Sequence, residues 1–478
     1  MTCLTCVPSM TCSKASSKAS AVRGPRFVPV AAAAMALLLA LLLSLQAAAG
    51  AAAGAAAARD VPSAPGIDAP ELAKLGPLAV GVKTLKLVQH DQADVLAYDA
   101  AAGAAPLRDR VLYVDLWYPA LAPPGAKPVD YRGSLPPAPG EAAAEFSVAG
   151  MAVRDAPSVG SGYPLVVVSH GYSNVTAAMV WLTENLASKG YVVAAIRHND
   201  PPITDPSKSN ELALRRPLDI AFVTGTLQAS LGASRLIDAS RTALIGASFG
   251  GYGVLTAAGV TLDPAGVPVQ RVPGGLLKPY ARGGALQGTF PLKSLRAVVA
   301  MSPYGNVQTF WGADGAAALT VPLLLIAGTE DHVAEYATGA RAWFDLAIHA
   351  PRYLLSFKGA GHDIHMVPAP PEMRRSLWYQ DWFEDPVWRE RRVNEIDLHF
   401  ITAFLDRYVK GDESRASYLE VAVSEGSAGV WPAADPALAY GAYSPGTGAI
   451  TLWKGFQRGH ATGLELLRAG AVDGKPGN

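Results

Sequence analysis

Residues 242–258 read TALIGASFGGYGVLTAA, and this stretch is the strongest indication of the fold. Its first four residues, 242–245, form a short apolar run typical of a buried strand, and a helix is predicted over residues 250–258. Between them lies Gly-Ala-Ser-Phe-Gly, residues 246–250, in which the outer glycines avoid clashes with neighbouring backbone. A serine at such a sharp strand-to-helix turn is exposed above the edge of a sheet, which makes Ser248 the predicted nucleophile.

Apolar runs alternate with amphipathic segments on both sides of this turn. Further strands are predicted at residues 82–87, 111–117, 165–169, 191–196, 297–301, 323–326 and 353–357. Further helices are predicted at residues 175–188, 214–231 and 393–409. Continuous apolar strands separated by helices indicate a parallel sheet covered on both faces. The sequence therefore predicts an α/β fold with about eight mostly parallel strands.

Composition divides the rest of the chain. A basic and then apolar, Ala-rich leader at 1–58 predicts an export signal, with an uncleaved membrane anchor as the alternative. A Pro/Ala-rich linker is predicted at 59–75, the α/β domain at 76–412, and a C-terminal extension with strand-like pieces (418–423 and 449–453) at 413–478. All three cysteines precede the apolar run, so a cleaved protein would contain neither a disulfide nor a thiol nucleophile.

Three segments interrupt the alternation of strands and helices. Residues 120–162 are rich in Pro, Gly and Ala and are predicted to be a surface connection. Residues 261–293 are a Pro/Gly-rich insertion, and residues 368–388 contain five aromatic side chains. Both insertions leave the sheet close to candidate reactive residues, which favours a lid or pocket wall; packing onto the body of the domain is the alternative.

A nucleophilic serine needs a base, and the base needs an acid to orient it. His362 follows the strand at 353–357, and Asp331 follows the strand at 323–326. The carboxyl ends of parallel strands gather at one edge of a sheet, so Ser248, Asp331 and His362 are predicted to meet there. Their order along the chain is the one expected of the α/β-hydrolase fold.

Neighbouring residues leave alternatives for both partners. Glu330 is an alternative acid, and Asp331 could instead cap the following helix. His332 and His365 are alternative bases. His170 is predicted to have a packing role, as a buried imidazole that holds its loop by hydrogen bonds. His399, on the last predicted helix, is predicted to lie at the surface or to have a packing role.

Two backbone donors are predicted to stabilise the negative charge that forms on the substrate. One is the N–H of Phe249, directly after the nucleophile, and the other is the N–H of Tyr172, in the loop after the strand at 165–169. Gly171 allows that loop to approach the substrate closely.

Charge and spacing exclude several classes of function. Forty basic and forty acidic side chains cancel, and no sustained Lys/Arg stripe is present, so nucleic acid is not an expected partner. No His/Asp/Glu cluster has metal-ligand spacing, and no glycine-rich turn suits a dinucleotide. We therefore expect neither a metal nor a cofactor.

The chain resembles the dienelactone-hydrolase-like serine hydrolases, which are related to bacterial platelet-activating-factor acetylhydrolases and to polyester-cleaving cutinases. The matching pieces are residues 116–119, 163–171, 216–219 and 246–252 and the turns at Asp331 and His362. The resemblance implies hydrolysis of an ester, such as a lipid or polymer ester, through an acyl-enzyme and without a cofactor. It assigns Ser248, Asp331 and His362 to a catalytic triad, and Tyr172 and Phe249 to the oxyanion hole. Dienelactone hydrolases themselves have cysteine at the position of Ser248.

Two other functions use the same elements. Peptidases of the prolyl-oligopeptidase type have elbows of the form Gly-x-Ser-x-Gly-Gly, although no propeller domain of suitable length precedes the hydrolase region here. The other alternative is a non-catalytic binding protein with the same fold.

Overall fold

The computed structural model describes residues 59–472, apart from residues 139, 142, 206–207, 291 and 431–449. The predicted export signal and its membrane-anchor alternative lie outside the described residues. Within the described part, no helix combines the length and apolar character needed to cross a bilayer.

In the part of the chain that the structure describes, ten strands form one sheet, and two more form a separate hairpin. The sheet order is β12-β11-β10-β9-β8-β6-β7-β2-β1-β5, and β3 pairs with β4. The strands are β1 (Val80–Ala93), β2 (Leu107–Pro119), β3 (Asp130–Leu135), β4 (Ala144–Ala149), β5 (Val153–Arg154), β6 (Tyr163–Ser169), β7 (Val192–Arg197), β8 (Ile237–Ala247), β9 (Leu295–Met301), β10 (Leu323–Gly328), β11 (Arg352–Phe357) and β12 (Leu464–Ala469).

Helices cover both faces of the sheet. They are α1 (Val180–Ser188), α2 (Asn210–Ala233), α3 (Phe249–Ala257), α4 (Val267–Arg271), α5 (Val307–Phe310), α6 (Gly312–Ala317), α7 (Ala340–Leu346), α8 (Leu377–Gln380), α9 (Glu390–Tyr408) and α10 (Ala416–Leu419). Because apolar side chains from alternate positions of each central strand face opposite layers, the buried core divides into two large clusters, one on each side of the sheet.

The centre of the sheet is parallel, and antiparallel pairs lie on both sides of it, with a short parallel pair of β1 and β5 at one edge. The six strands from β11 to β7 in the sheet order run parallel to one another. β2 runs antiparallel to β1 and β7, and β12 runs antiparallel to β11. Every residue of β10 and β11 is buried. This architecture confirms the predicted α/β-hydrolase fold, with ten strands in the main sheet rather than about eight.

The differences from prediction lie at the margins of the sheet. The segment predicted as a surface connection contains β5 and the β3–β4 hairpin, and the C-terminal extension contributes β12 as an edge strand. The predictions of strand-like pieces were wrong for residues 418–423 and 450–453, because α10 and irregular backbone occupy those positions, and residue 449 lies outside the described residues. Marginal strands have at most one covered face, so they lack the continuous apolar runs that identify central strands.

The segment predicted as a linker, residues 59–75, lies against α1. Val61 and Ala73 are buried. The Ser63 hydroxyl donates to Glu184 Oε2 at 2.6 Å, and Asn185 Nδ2 donates to the Ala73 carbonyl at 2.9 Å. Buried polar side chains of α1 thus bind this segment to the domain, although its composition is typical of a linker.

Gly250 is required where α3 crosses the end of β6. A Cβ atom at this position would lie 2.0 Å from the backbone oxygen of Ser169, which cannot move without disturbing the sheet. We expect Gly250→Ala to destabilise the protein by at least about 1 to 3 kcal/mol through overpacking, measured by urea unfolding.

Gly225 provides the matched control for that substitution. It is exposed within α2, and a Cβ atom there would meet nothing within 4 Å. Gly225→Ala is expected to stabilise the protein by up to about 1 kcal/mol. Equal unfolding free energies for the two variants would contradict the proposed close approach at Gly250.

Candidate active site

Ser248 occupies a strained turn between β8 and α3. Its φ is 53° and its ψ is −119°, a conformation that non-glycine residues rarely adopt. The turn is held by its backbone: Ser248 N–H donates to the Met301 carbonyl at 2.9 Å, and the Ser248 carbonyl accepts from the N–H groups of Tyr252 at 3.2 Å and Tyr304 at 3.0 Å. These contacts leave the hydroxyl free to point away from the sheet.

The structure brings Ser248, His362 and Asp331 into one hydrogen-bonded chain. The Ser248 hydroxyl lies 3.0 Å from His362 Nε2, and His362 Nδ1 lies 2.8 Å from Asp331 Oδ2. The three residues follow the carboxyl ends of β8, β11 and β10, as predicted from their order along the chain. This geometry suits removal of the hydroxyl proton by a neutral imidazole.

The two interpretations of Asp331 are compatible, because its two carboxylate oxygens have different partners. Oδ1 accepts from the N–H groups of Val333 and Ala334 and so caps the turn at 332–339, which occupies the position of the expected helix, while Oδ2 faces His362. Glu330, the alternative acid, has a side chain that is 62% exposed, and the side chain of the alternative base His332 is 87% exposed. Neither belongs to the hydrogen-bonded chain at Ser248.

His365, the other alternative base, belongs to a second chain of the same residue types. Its Nε2 lies 3.2 Å from the Ser302 hydroxyl and its Nδ1 lies 3.1 Å from Asp397 Oδ2. All three residues are buried. His365 is within hydrogen-bonding distance of Ser302, directly after β9, through one ring nitrogen, and of Asp397, on α9, through the other. This second chain anchors the loop that carries His362, and it was not predicted from the sequence.

Electrostatics around His362 favour its charged form. Burial by itself would lower the pKa of His362, but the hydrogen bond to Asp331 and the charges of Asp363 and Asp331 outweigh it, and the pKa is raised above its usual value. Burial opposes ionisation of Asp331 as well, yet the hydrogen bond and charge of His362 lower its pKa. Asp363 lines the cavity beside His362, and burial raises its pKa to about 6.

The two predicted backbone donors flank the nucleophile. Phe249 is the first residue of α3, directly after Ser248. Tyr172 lies in the loop after β6, and the last residue of β6, Ser169, pairs with Gly246 in the sheet. A Cβ atom at Gly171 would lie 3.4 Å from the Ser248 Cβ atom, so this loop passes close to the nucleophile. His170 is buried and its Nδ1 lies 2.7 Å from the Gly171 carbonyl, in agreement with the predicted packing role.

A cavity of about 550 Å³ opens above Ser248 and His362. Its apolar lining consists of Tyr172, Ile203, Phe249, Tyr304, Val333, Met366, Trp378 and Trp382. The aromatic insertion at 368–388 therefore forms a wall of the site, whereas none of the described residues of the insertion at 261–293 lines it. A larger cavity of about 950 Å³ lies beside the same loop but does not include Ser248.

Comparisons with known proteins support the same fold. A family model described as PETase, PET hydrolase-like, matches residues 150–268. Cutinase 2 of Thermobifida cellulosilytica is 26% identical over 213 residues, covering 44% of this chain and 65% of the relative. Cutinase est1 of Thermobifida alba is 35% identical over 99 residues, covering 21% of this chain and 31% of the relative.

A solved structure of a ferulic acid esterase from Streptomyces cinnamoneus aligns with a TM-score of 0.45 at 21% identity, over 70% of this chain and 91% of that one. The chain spans less than two thirds of the length of the curated cutinases that it matches. The family match covers β6, α1, β7, α2, β8 and α3, which carry the nucleophile and both predicted donors. By its sheet topology, the chain has the α/β-hydrolase fold, and over residues 150–268 it is similar to the PET hydrolase-like family.

Proposed function

We propose that the protein is a serine carboxylic-ester hydrolase that works through an acyl-enzyme. The observation that carries this proposal is the hydrogen-bonded chain of Ser248, His362 and Asp331 at the floor of an apolar cavity. The similarity to cutinases supports the ester as the bond that is cleaved.

In the proposed reaction, the Ser248 oxygen attacks the ester carbonyl while His362 Nε2 takes its proton. Asp331 keeps the proton of His362 on Nδ1 and stabilises the imidazolium that forms. The N–H groups of Phe249 and Tyr172 donate to the oxyanion, and one such donor typically contributes about 3 to 4 kcal/mol in the transition state. The C–O bond to the alcohol then breaks, and the alcohol leaves with the proton from His362. Water repeats the sequence to release the acid and regenerate Ser248.

The lining of the cavity favours an ester substrate with an apolar or aromatic group next to the scissile bond. Its walls are aromatic or aliphatic apart from the reacting residues and a few polar side chains such as Asp363 and Asp381. Apolar lining contributes roughly 25 cal/mol for each Å² of apolar substrate surface that it removes from water. Lipid and polymer esters are the substrate classes that fit this lining.

Two measurements test the proposal. Purified protein should be labelled stoichiometrically by a fluorophosphonate at Ser248 and should hydrolyse p-nitrophenyl esters with a burst of p-nitrophenol. A panel of p-nitrophenyl esters of increasing acyl length, an acetylated phospholipid and a film of aromatic polyester would identify the substrate class, and aminoacyl anilides would detect a peptidase. Absence of both labelling and ester turnover in folded protein would refute the proposed function.

The pH dependence of turnover follows from the raised pKa of His362. Only neutral imidazole can accept the Ser248 proton, so kcat/KM should fall as the pH drops through this pKa, with a midpoint above about 6.5. Asp363→Asn removes one of the charges that raise the pKa and should move the midpoint to lower pH, while kcat on the alkaline side stays close to that of the wild type. A wild-type midpoint at or below 6.5, or no movement in Asp363→Asn, would contradict the electrostatic account.

We also propose that residues 1–58 direct export and that residues 76–412 form the hydrolase domain, to which the C-terminal extension adds β12. The basic and then apolar order of the leader supports export. Cell fractionation with N-terminal sequencing tests it, because a cleaved, exported protein would begin after this leader and an anchored one would retain it in the membrane fraction.

A further inference from the structure

We propose that the buried ion pair of Arg216 and Asp200 holds the Tyr172 N–H in the direction required for the oxyanion. Both would be positioning residues, acting through the backbone of the loop after β6. The proposal rests on the function proposed above, because the oxyanion forms only if an ester is attacked by Ser248. Neither side chain lies in the chain of Ser248, His362 and Asp331.

Arg216 reaches this loop from α2 and is completely buried. Its Nη1 donates to the His170 carbonyl at 2.5 Å and to the Ser169 hydroxyl at 3.2 Å, and its Nη2 donates to the Gly171 carbonyl at 3.0 Å. One guanidinium group therefore holds two successive carbonyls, which its planar, forked arrangement of donors makes possible.

The contact with Gly171 fixes the predicted donor directly. The carbonyl of Gly171 and the N–H of Tyr172 belong to the same peptide unit. That unit is planar and trans, so its C=O and N–H point in opposite directions. Holding the carbonyl toward Arg216 therefore holds the N–H of Tyr172 on the opposite side of the unit.

Asp200 holds the next peptide unit. Its Oδ2 accepts from Ser173 N–H at 3.1 Å and also pairs with Arg216 Nη2, while Arg216 Nε donates to its Oδ1 at 3.2 Å. Ser173 has a φ of 54°, in the left-handed region that costs a residue with a side chain about 1 kcal/mol or more. The ion pair thus fixes the peptide units on both sides of the Tyr172 Cα atom.

A second layer of buried hydrogen bonds fixes one of the acceptors of Arg216. The Ser169 hydroxyl lies 2.9 Å from His198 Nε2, and His198 Nδ1 lies 2.9 Å from Asp219 Oδ2. Asp219 in turn accepts from Arg110 Nε at 2.6 Å. Burial, and then the charge of Arg216, lower the pKa of His198 well below its usual value, so this imidazole is neutral beside the guanidinium. Side chains of the Arg-Pro-Leu-Asp motif at 216–219 therefore belong to both layers.

The test compares Arg216→Met with a control that removes an equivalent guanidinium elsewhere. Arg352, on β11, is also buried and donates to backbone carbonyls, those of Phe344 at 2.5 Å and Gly470 at 2.9 Å, but it does not line the cavity at Ser248. Arg352→Met should therefore reproduce the loss of packing and hydrogen bonds without moving Tyr172. Circular dichroism and thermal unfolding would establish that both variants are folded.

We expect Arg216→Met to lower kcat/KM for a p-nitrophenyl ester by about 10²-fold, the size of effect measured when one oxyanion donor is lost. The loss should appear in kcat rather than KM, because the contact strengthens in the transition state. Arg216→Lys keeps the charge and the folded state but cannot hold both carbonyls, so its kcat/KM should lie between those of Arg216→Met and wild type. Arg352→Met should retain kcat/KM close to wild type.

Amide hydrogen exchange provides a readout that does not depend on activity. Exchange of the backbone amides of residues 171–174 should be faster in both Arg216 variants and unchanged in Arg352→Met. Wild-type kcat/KM and protection in folded Arg216→Met, or an equal loss in Arg352→Met, would overturn the proposal. Wild-type protein without ester turnover would instead refute the proposed function, and the exchange data would still decide whether the ion pair holds the loop.

Discussion

Ser248→Ala is expected to lower kcat for an activated ester by about 10⁴-fold or more, because the variant has no oxygen to form the acyl-enzyme. The backbone contacts that hold the turn, from Ser248 N–H to Met301 and from Tyr252 and Tyr304 to the Ser248 carbonyl, do not involve the side chain. Alanine should therefore adopt the same conformation at the same cost. Ester turnover of the folded variant, together with fluorophosphonate labelling, would measure the effect.

Ser302→Ala is the matched control, because Ser302 is hydrogen-bonded to a histidine and thereby to an aspartate in the same way. Its hydroxyl is buried behind the site, so its removal leaves His365 Nε2 without that partner and should cost about 1 to 3 kcal/mol of stability. Most of kcat should remain. If Ser302→Ala lost as much turnover as Ser248→Ala, or if Ser248→Ala kept more than a small fraction of it, Ser248 would not be the nucleophile.

Asp331→Asn is expected to lower kcat by about 10⁴-fold while leaving the fold intact. The asparagine Oδ1 atom can still accept from the N–H groups of Val333 and Ala334, so the turn after β10 should keep its cap. The amide nitrogen, however, would face His362 Nδ1 as a donor and would favour the tautomer whose Nε2 carries the proton and cannot accept another. Steady-state kinetics and urea unfolding would separate the two effects.

Glu330→Gln is the control for Asp331→Asn, since Glu330 is adjacent in sequence but exposed. It should retain wild-type kcat. The assignment of Asp331 would fail if the two substitutions had similar effects on turnover, or if Asp331→Asn lost its activity only in proportion to a loss of folded protein.

The central part of the fold was predictable because its strands are buried on both faces. β10 consists entirely of apolar residues and glycine, and β11 contains the apolar run 353–355, so each can be identified without knowledge of its neighbours. The β3–β4 hairpin alternates buried and less buried residues within a segment rich in Pro, Gly and Ala. β12 is an edge strand whose polar residues alternate with apolar ones over its first half, so neither element forms a continuous apolar run.

The sequence by itself determined the elbow at Ser248, because its glycines are required by close backbone approach, and it placed His362 and Asp331 at strand ends that share one edge of the sheet. Only the tertiary structure decided which of two chains of serine, histidine and aspartate opens into the cavity, since His362 and His365 are three residues apart in one loop. The tertiary structure also placed Arg216 and Asp200 within hydrogen-bonding distance of the backbone on both sides of Tyr172. Residues that meet because distant segments pack together have no fixed spacing in the sequence, so no local motif identifies them. A tight turn requires glycine at fixed positions, where any side chain would clash, and therefore forms a recognisable motif.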